Sequence, residues 1–103
     1  MFVRVTTTQA APDKADETIR VIKEVVLPAA KAMAGFKGGV WLGDRASGKG
    51  LTVTFFESEA AMRASEAAAQ QLRTKATGQI SAKVVSVEHF EVIATAGAAD
   101  RLG

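Results

Sequence analysis

Arg4, Trp41, Phe55, Phe56, Arg63 and His89 are the residues of this 103-residue chain whose side chains could act on a bound molecule. Arg4 stands in an otherwise apolar, Thr-rich run, where a charge needs a partner. It answers either to a carboxylate at an interface or to an anionic ligand. His89 is the one histidine, and imidazole is the side chain suited to proton transfer near neutrality. Set between Glu88 and Glu91, it reads equally as a surface or interface residue. Trp41 is the one tryptophan. It could be a stacking platform, but aromatic residues dominate cores and interfaces as well. Phe55-Phe56 could form the apolar wall of a cavity. Arg63 could supply a second positive charge. Together these types suit holding an anionic ligand against an apolar, aromatic wall.

The composition closes other routes. There is no cysteine and no tyrosine, nor any asparagine, so disulfides, thiolate chemistry and cysteine metal sites are excluded. The lack of cysteine agrees with a reducing cytoplasm, the expected location. The net charge is +2, and the basic residues form no stripe, so nucleic acid is not an expected partner. No apolar run approaches the ~20 residues that span a bilayer, and no membrane partner is expected.

The candidate residues must be positioned by a single domain. Phe2–Thr8, rich in Val and Thr, reads as a strand. Asp13 opens a helix whose Ile19, Ile22 and Val26 recur at helical spacing, with Pro28 expected to kink or restart it. Phe36–Arg45 and Leu51–Glu57 read as two strands joined by a Gly-rich turn, with a bulge or close backbone approach at Gly38-Gly39. In the second of them Leu51, Val53 and Phe55 take one face, and Thr52, Thr54 and Phe56 the other. Ser58 caps a second, Ala-rich helix from Glu59 to about Lys75. A last strand, Val84–Thr95, changes parity, which predicts a bulge near Glu88-His89 or burial on both faces.

The order β-α-β-β-α-β predicts an α+β, ferredoxin-like fold: a four-stranded antiparallel sheet with two helices on one face. Residues 1–96 form the domain and 97–103 a flexible C-terminal tail. Large apolar residues on both faces of the strands leave an uncovered patch of a kind monomers rarely expose. A second copy, face to face, is the expected partner. Small residues along the second helix leave room for a pocket between it and the sheet.

Val26-Leu27-Pro28, Gly35-Phe36-Lys37-Gly38-Gly39, Asp44-Arg45 with the Gly-Lys-Gly turn, Phe55-Phe56-Glu57-Ser58-Glu59 and Val87-Glu88-His89-Phe90-Glu91-Val92 resemble the antibiotic-biosynthesis-monooxygenase type of dimeric α/β-barrel protein. The resemblance spans Phe2 to about Thr95. It implies a homodimer with a cavity between sheet and helices in each subunit. Some members oxidise polycyclic aromatic substrates without a cofactor, and others degrade haem. The resemblance places the haem degraders' axial histidine and a tryptophan on the second helix and an asparagine on the first strand. Here that helix carries Ser65, Arg73 and Lys75, so neither haem nor any other cofactor is expected. The tyrosine and asparagine of the quinone-forming relatives also have no counterpart. Arg4, Arg63, His89 and Trp41 are what remains to replace them. The expected function is small-molecule binding within that superfamily, with cofactor-free oxygenation of an aromatic substrate as its chemistry. The rival is a non-enzymatic dimeric domain that binds a metabolite or a partner protein.

Overall fold

A computed structural model describes residues 1–97; the expected tail, 97–103, lies outside them apart from Gly97. Strand β1 (Phe2–Gln9) leads through a 3-10 turn (Pro12–Lys14) into α1 (Ala15–Val21), a π turn (Ile22–Val26) and α2 (Leu27–Lys31). The β2 (Phe36–Gly43) and β3 (Lys49–Phe56) hairpin follows, then α3 (Glu59–Ala64), α4 (Glu66–Gln79) and β4 (Lys83–Glu91). The four strands form one sheet in the order β2-β3-β1-β4, every neighbouring pair antiparallel. The helices cover one face. This is the expected ferredoxin-like arrangement, and no helix among the described residues is long and apolar enough to cross a membrane.

The helix ends and irregularities have local causes. Ser58 Oγ accepts from the Ala61 N–H at 3.0 Å, capping α3. Leu27 N–H reaches back five residues to the Ile22 carbonyl, one position before Pro28. Proline has no N–H to give and its ring crowds the carbonyl four residues earlier, so the widened turn carries the helix past it without a break. The β2–β3 turn closes through Gly48, at φ +78°, where a Cβ would collide with the Ala10 carbonyl.

Two expectations are corrected. The bulge of β4 lies not at Glu88-His89 but opposite Thr7/Thr8, where Thr7 pairs with Ser86 and Thr8 with Val84. The extra residue, Val85, changes the parity of the strand there. The second helix is two helices, broken at Ser65 and running on to Gln79 rather than about Lys75. The β2 bulge falls next to the expected glycine pair, between Phe36 and Gly38.

The core is the layer between sheet and helices. Phe56 is fully buried, and Val21, Ala30, Met62, Ala69 and Ile80 are nearly so. Phe36 meets Phe56 edge to face, ring centres 6.1 Å apart. The other face of the sheet has no cover among the described residues. Val40, Leu42 and Phe90 stand there 46, 52 and 51% exposed.

Candidate functional site

The strand period of two aims Arg4, Thr6 and Thr8 of β1 and Thr52, Thr54 and Phe56 of β3 at the helices. Trp41, opposite Thr52, shares that face. Its indole lies across Gly39, where a Cβ would come within 3.1 Å of the ring. Thr18, Val21, Ile22, Val26 and Ala30 face the sheet from the first helical arm. Ala69, Leu72, Arg73, Ala76 and Thr77 face it from α4. Ala69 and Ala76 are too small to fill the space. The walls border a partly open cavity of about 120 Å³. A second hollow of about 240 Å³ continues past Thr8, Thr18 and Trp41 toward the β2–β3 turn.

The inner end of the cavity is charged. Arg4, 4% exposed, donates through Nε to Glu66 Oε2 at 2.9 Å, and through Nη2 to the Met62 carbonyl at 2.9 Å and Ser65 Oγ at 2.7 Å. Ser65 Oγ in turn donates to the Met62 carbonyl at 2.7 Å. The break between α3 and α4 is therefore the cradle of the Arg4 guanidinium, whose Cζ also sits 5.1 Å from the centre of the Phe56 ring. Glu66 Oε1 accepts from Arg73 Nη2 at 2.9 Å, and His89 Nε2 lies 3.2 Å from Glu66 Oε2.

These contacts set the charge states. Burial alone would raise the Glu66 carboxyl, but hydrogen bonds from Arg73 and His89 and the charges of Arg4 and Arg73 outweigh it and hold the carboxyl at about 2. Burial lowers Arg4 from its usual value, with the adjacent Glu66 opposing, and a guanidinium stays charged regardless. Among the described residues the arginines are the only titratable ones on the cavity wall. The wall can therefore exclude water and favour an anion, but it offers no general base.

Of the residues expected at a pocket, Arg4, Trp41 and Phe56 line the cavity. Phe55 does not: opposite Val3 and Gly38, it points to the uncovered face. Arg63 is exposed on α3 and pairs with Glu59 at 3.0 Å. His89 lies opposite Arg4 in β4 and touches the Glu66 node from outside the cavity wall. Arg4 does not serve the uncovered face, since its pairing is within the chain. Arg45 pairs with Asp16 of α1, at 3.1 Å. Glu66, Arg73 and Thr18 were not expected at the site. The signal for Glu66 and Arg73 is spacing: Glu66, Ala69, Arg73 and Ala76 recur at three and four along α4, one face of a helix.

A family model described as antibiotic biosynthesis monooxygenase matches residues 1–77. No curated protein matches the chain. Solved structures do. One is HapK from Hahella chejuensis, with TM-score 0.74 and 14% identity over 95% of this chain and 98% of that one. The heme-degrader MhuD from Mycobacterium tuberculosis, solved with two hemes bound in its active site, gives TM-score 0.71 and 20% identity over 94% of this chain and 100% of that one. The monooxygenase from the gene ActVA-Orf6 of Streptomyces coelicolor, in complex with nanaomycin D, gives 0.69 and 16% over 92% and 89%. At these identities the likeness is one of fold.

Proposed function

We propose that this chain, which belongs to the antibiotic biosynthesis monooxygenase family, binds a small aromatic molecule in the cavity between sheet and helices and oxygenates it without a cofactor. The observation that carries the reading is an apolar cavity with two guanidinium groups, Arg4 and Arg73, in its wall. Such a wall lowers the cost of holding an electron-rich anion away from water. Because the wall has no general base, the substrate must ionise on its own acidity, as an acidic phenol or enol does. The overall change then balances without an external reductant: a ring CH2 and one O2 become C=O and one water.

Haem does not fit this site. The cavity wall contains no imidazole, thiolate or phenolate to bind the iron, and the one histidine is committed to Glu66 outside it. No group of three or more potential metal ligands occurs among the described residues.

The missing base favours a second reading, a non-enzymatic domain that binds a metabolite in the same cavity or a partner protein. Anthrone, which enolises readily, separates the two. The oxygenase converts it to anthraquinone in air with stoichiometric oxygen uptake and no added cofactor, and Arg73→Gln slows the reaction at least tenfold. Binding of anthrone with no oxygen uptake above the uncatalysed rate rejects the enzyme and leaves the binding domain. The homodimer formed through the uncovered sheet face belongs to both readings.

A further inference from the structure

Thr18 Oγ1 is the one side-chain oxygen or nitrogen among the described residues that is buried without a hydrogen-bond partner. Thr18 borders both the cavity and the hollow beyond it, beside Thr8 and Trp41. The large majority of buried side-chain hydroxyls in folded proteins are satisfied by protein or ordered water, so an exception calls for a partner. The second observation lies at the opposite end. Arg4 and Arg73 share the single carboxylate of Glu66, which leaves one positive charge in excess at the wall. Arg4 Nη1 and the Nε and Nη1 of Arg73 make no hydrogen bond within the described residues. Between the two ends the walls are Val21, Leu72 and Ala76. Arg4 and Thr8 stand four residues apart on β1, which is about 13 Å along a strand.

Resting on the reading that the cavity holds a small organic molecule, we infer that it selects an elongated, largely apolar organic acid gripped at both ends. The acid group faces Arg4 and Arg73. The far end presents a neutral hydroxyl or carbonyl to Thr18 Oγ1, which can donate and accept. The apolar walls fit a flat or narrow body. Thr18 is the specificity-determining residue, because it distinguishes acids that carry the far polar group from those that do not.

Calorimetric titration with para-coumarate, cinnamate and methyl coumarate tests this. The three probes share one skeleton and differ in the far hydroxyl and the charge. The wild-type chain binds para-coumarate about tenfold more tightly than cinnamate, the weight of one good hydrogen bond. Thr18→Val, which keeps the shape and removes the hydroxyl, abolishes that ratio and leaves cinnamate unchanged. Arg73→Gln weakens both acids at least tenfold and leaves methyl coumarate unchanged. Without ligand, Thr18→Val melts at a higher temperature than wild type, because an unpartnered hydroxyl has been removed. A tenfold ratio that survives Thr18→Val, or a melting temperature that falls, overturns the Thr18 subsite, since the hydroxyl then has water or protein for a partner. Affinity of the acids unaffected by Arg73→Gln overturns the anionic end. Failure of all three probes and of anthrone to bind the wild-type chain overturns the small-molecule reading itself, which is a distinct result.

Discussion

Glu66 is the residue on which the charged end of the cavity depends. Its two oxygens receive Arg4, Arg73 and His89, and removing it would leave the buried Arg4 guanidinium without a counter-charge. Deleting the partner of a buried ion costs about 3–5 kcal/mol because an uncompensated charge stays buried, whereas deleting the buried Arg4 itself leaves Glu66 with Arg73, His89 and solvent. Glu66 is itself 37% exposed, so its loss belongs at or below the low end of that range. Glu66→Gln therefore lowers stability to denaturant by about 2–3 kcal/mol at neutral pH, and Arg4→Met by clearly less. Equal costs for the two variants would contradict the assignment of Glu66 as counter-ion. The pH dependence has a definite sign. The folded carboxyl is held at about 2, below its ordinary value of 4.5, so its contribution is fully present above about 4.5 and fades as pH falls toward 2. The deficit of Glu66→Gln relative to wild type should shrink over that window, as followed by unfolding at stepped pH. The need for a partner at Arg4 is legible in the sequence, because a charge among strand residues must be paired. The partner is not, because Glu66 lies 62 positions away and no local pattern links the two.

Among the elements, α4 decides whether there is a cavity at all. Ala69 and Ala76 face the sheet from it, and Ala68, one position from Ala69, is exposed. Ala76→Leu should fill empty space, abolish probe binding and leave the melting temperature nearly unchanged. Overpacking a closed core would instead cost about 1–3 kcal/mol and several degrees. Ala68→Leu is the control, neutral in both measurements. A steep fall in melting temperature for Ala76→Leu would mean that the space is already occupied by atoms. The strands, their alternation and the Ala-rich character of this arm can be read from residue types, since β-branched runs and period-two patterns report directly on backbone and burial. The break at Ser65 cannot. Ser65 accepts from Arg4 Nη2, a tertiary contact, and nothing in Ala61–Glu66 forbids a continuous helix. The change of parity in β4 between Val87 and Phe90 comes from apolar residues on both faces of a regularly paired stretch, and the bulge at Val85 lies before it, where parity gives no signal because the position is set by the register against β1.

For the whole molecule, the decisive surface is the face of the sheet that the helices leave bare. Four strands about 4.8 Å apart, three of eight residues and one of nine, at about 3.3 Å per residue present several hundred Å², the scale at which an apolar patch on a monomer marks an interaction. Val40, Leu42 and Phe90 are exposed on it, and Val53 and Phe55 share its parity. A second copy docked on this face would present the same residues, which is the self-complementarity a two-fold interface requires. Sedimentation equilibrium at micromolar concentration should give twice the chain mass of 10.8 kDa. Phe90→Glu places a charge within this apolar face and should shift the chain to monomer while preserving its far-ultraviolet circular dichroism, since Phe90 is already half exposed in the single chain. Arg63→Glu, on a helix that takes no part in the face, should leave the dimer intact. A wild-type mass of 10.8 kDa across that concentration range would refute the interface, and the bare face would then have to be the docking surface for a different protein. The cavity itself lies on the opposite side of the sheet from this patch, so the Phe90→Glu monomer should still bind the acid probes if each chain carries a complete site. Loss of binding on monomerisation would show instead that the partner closes the site.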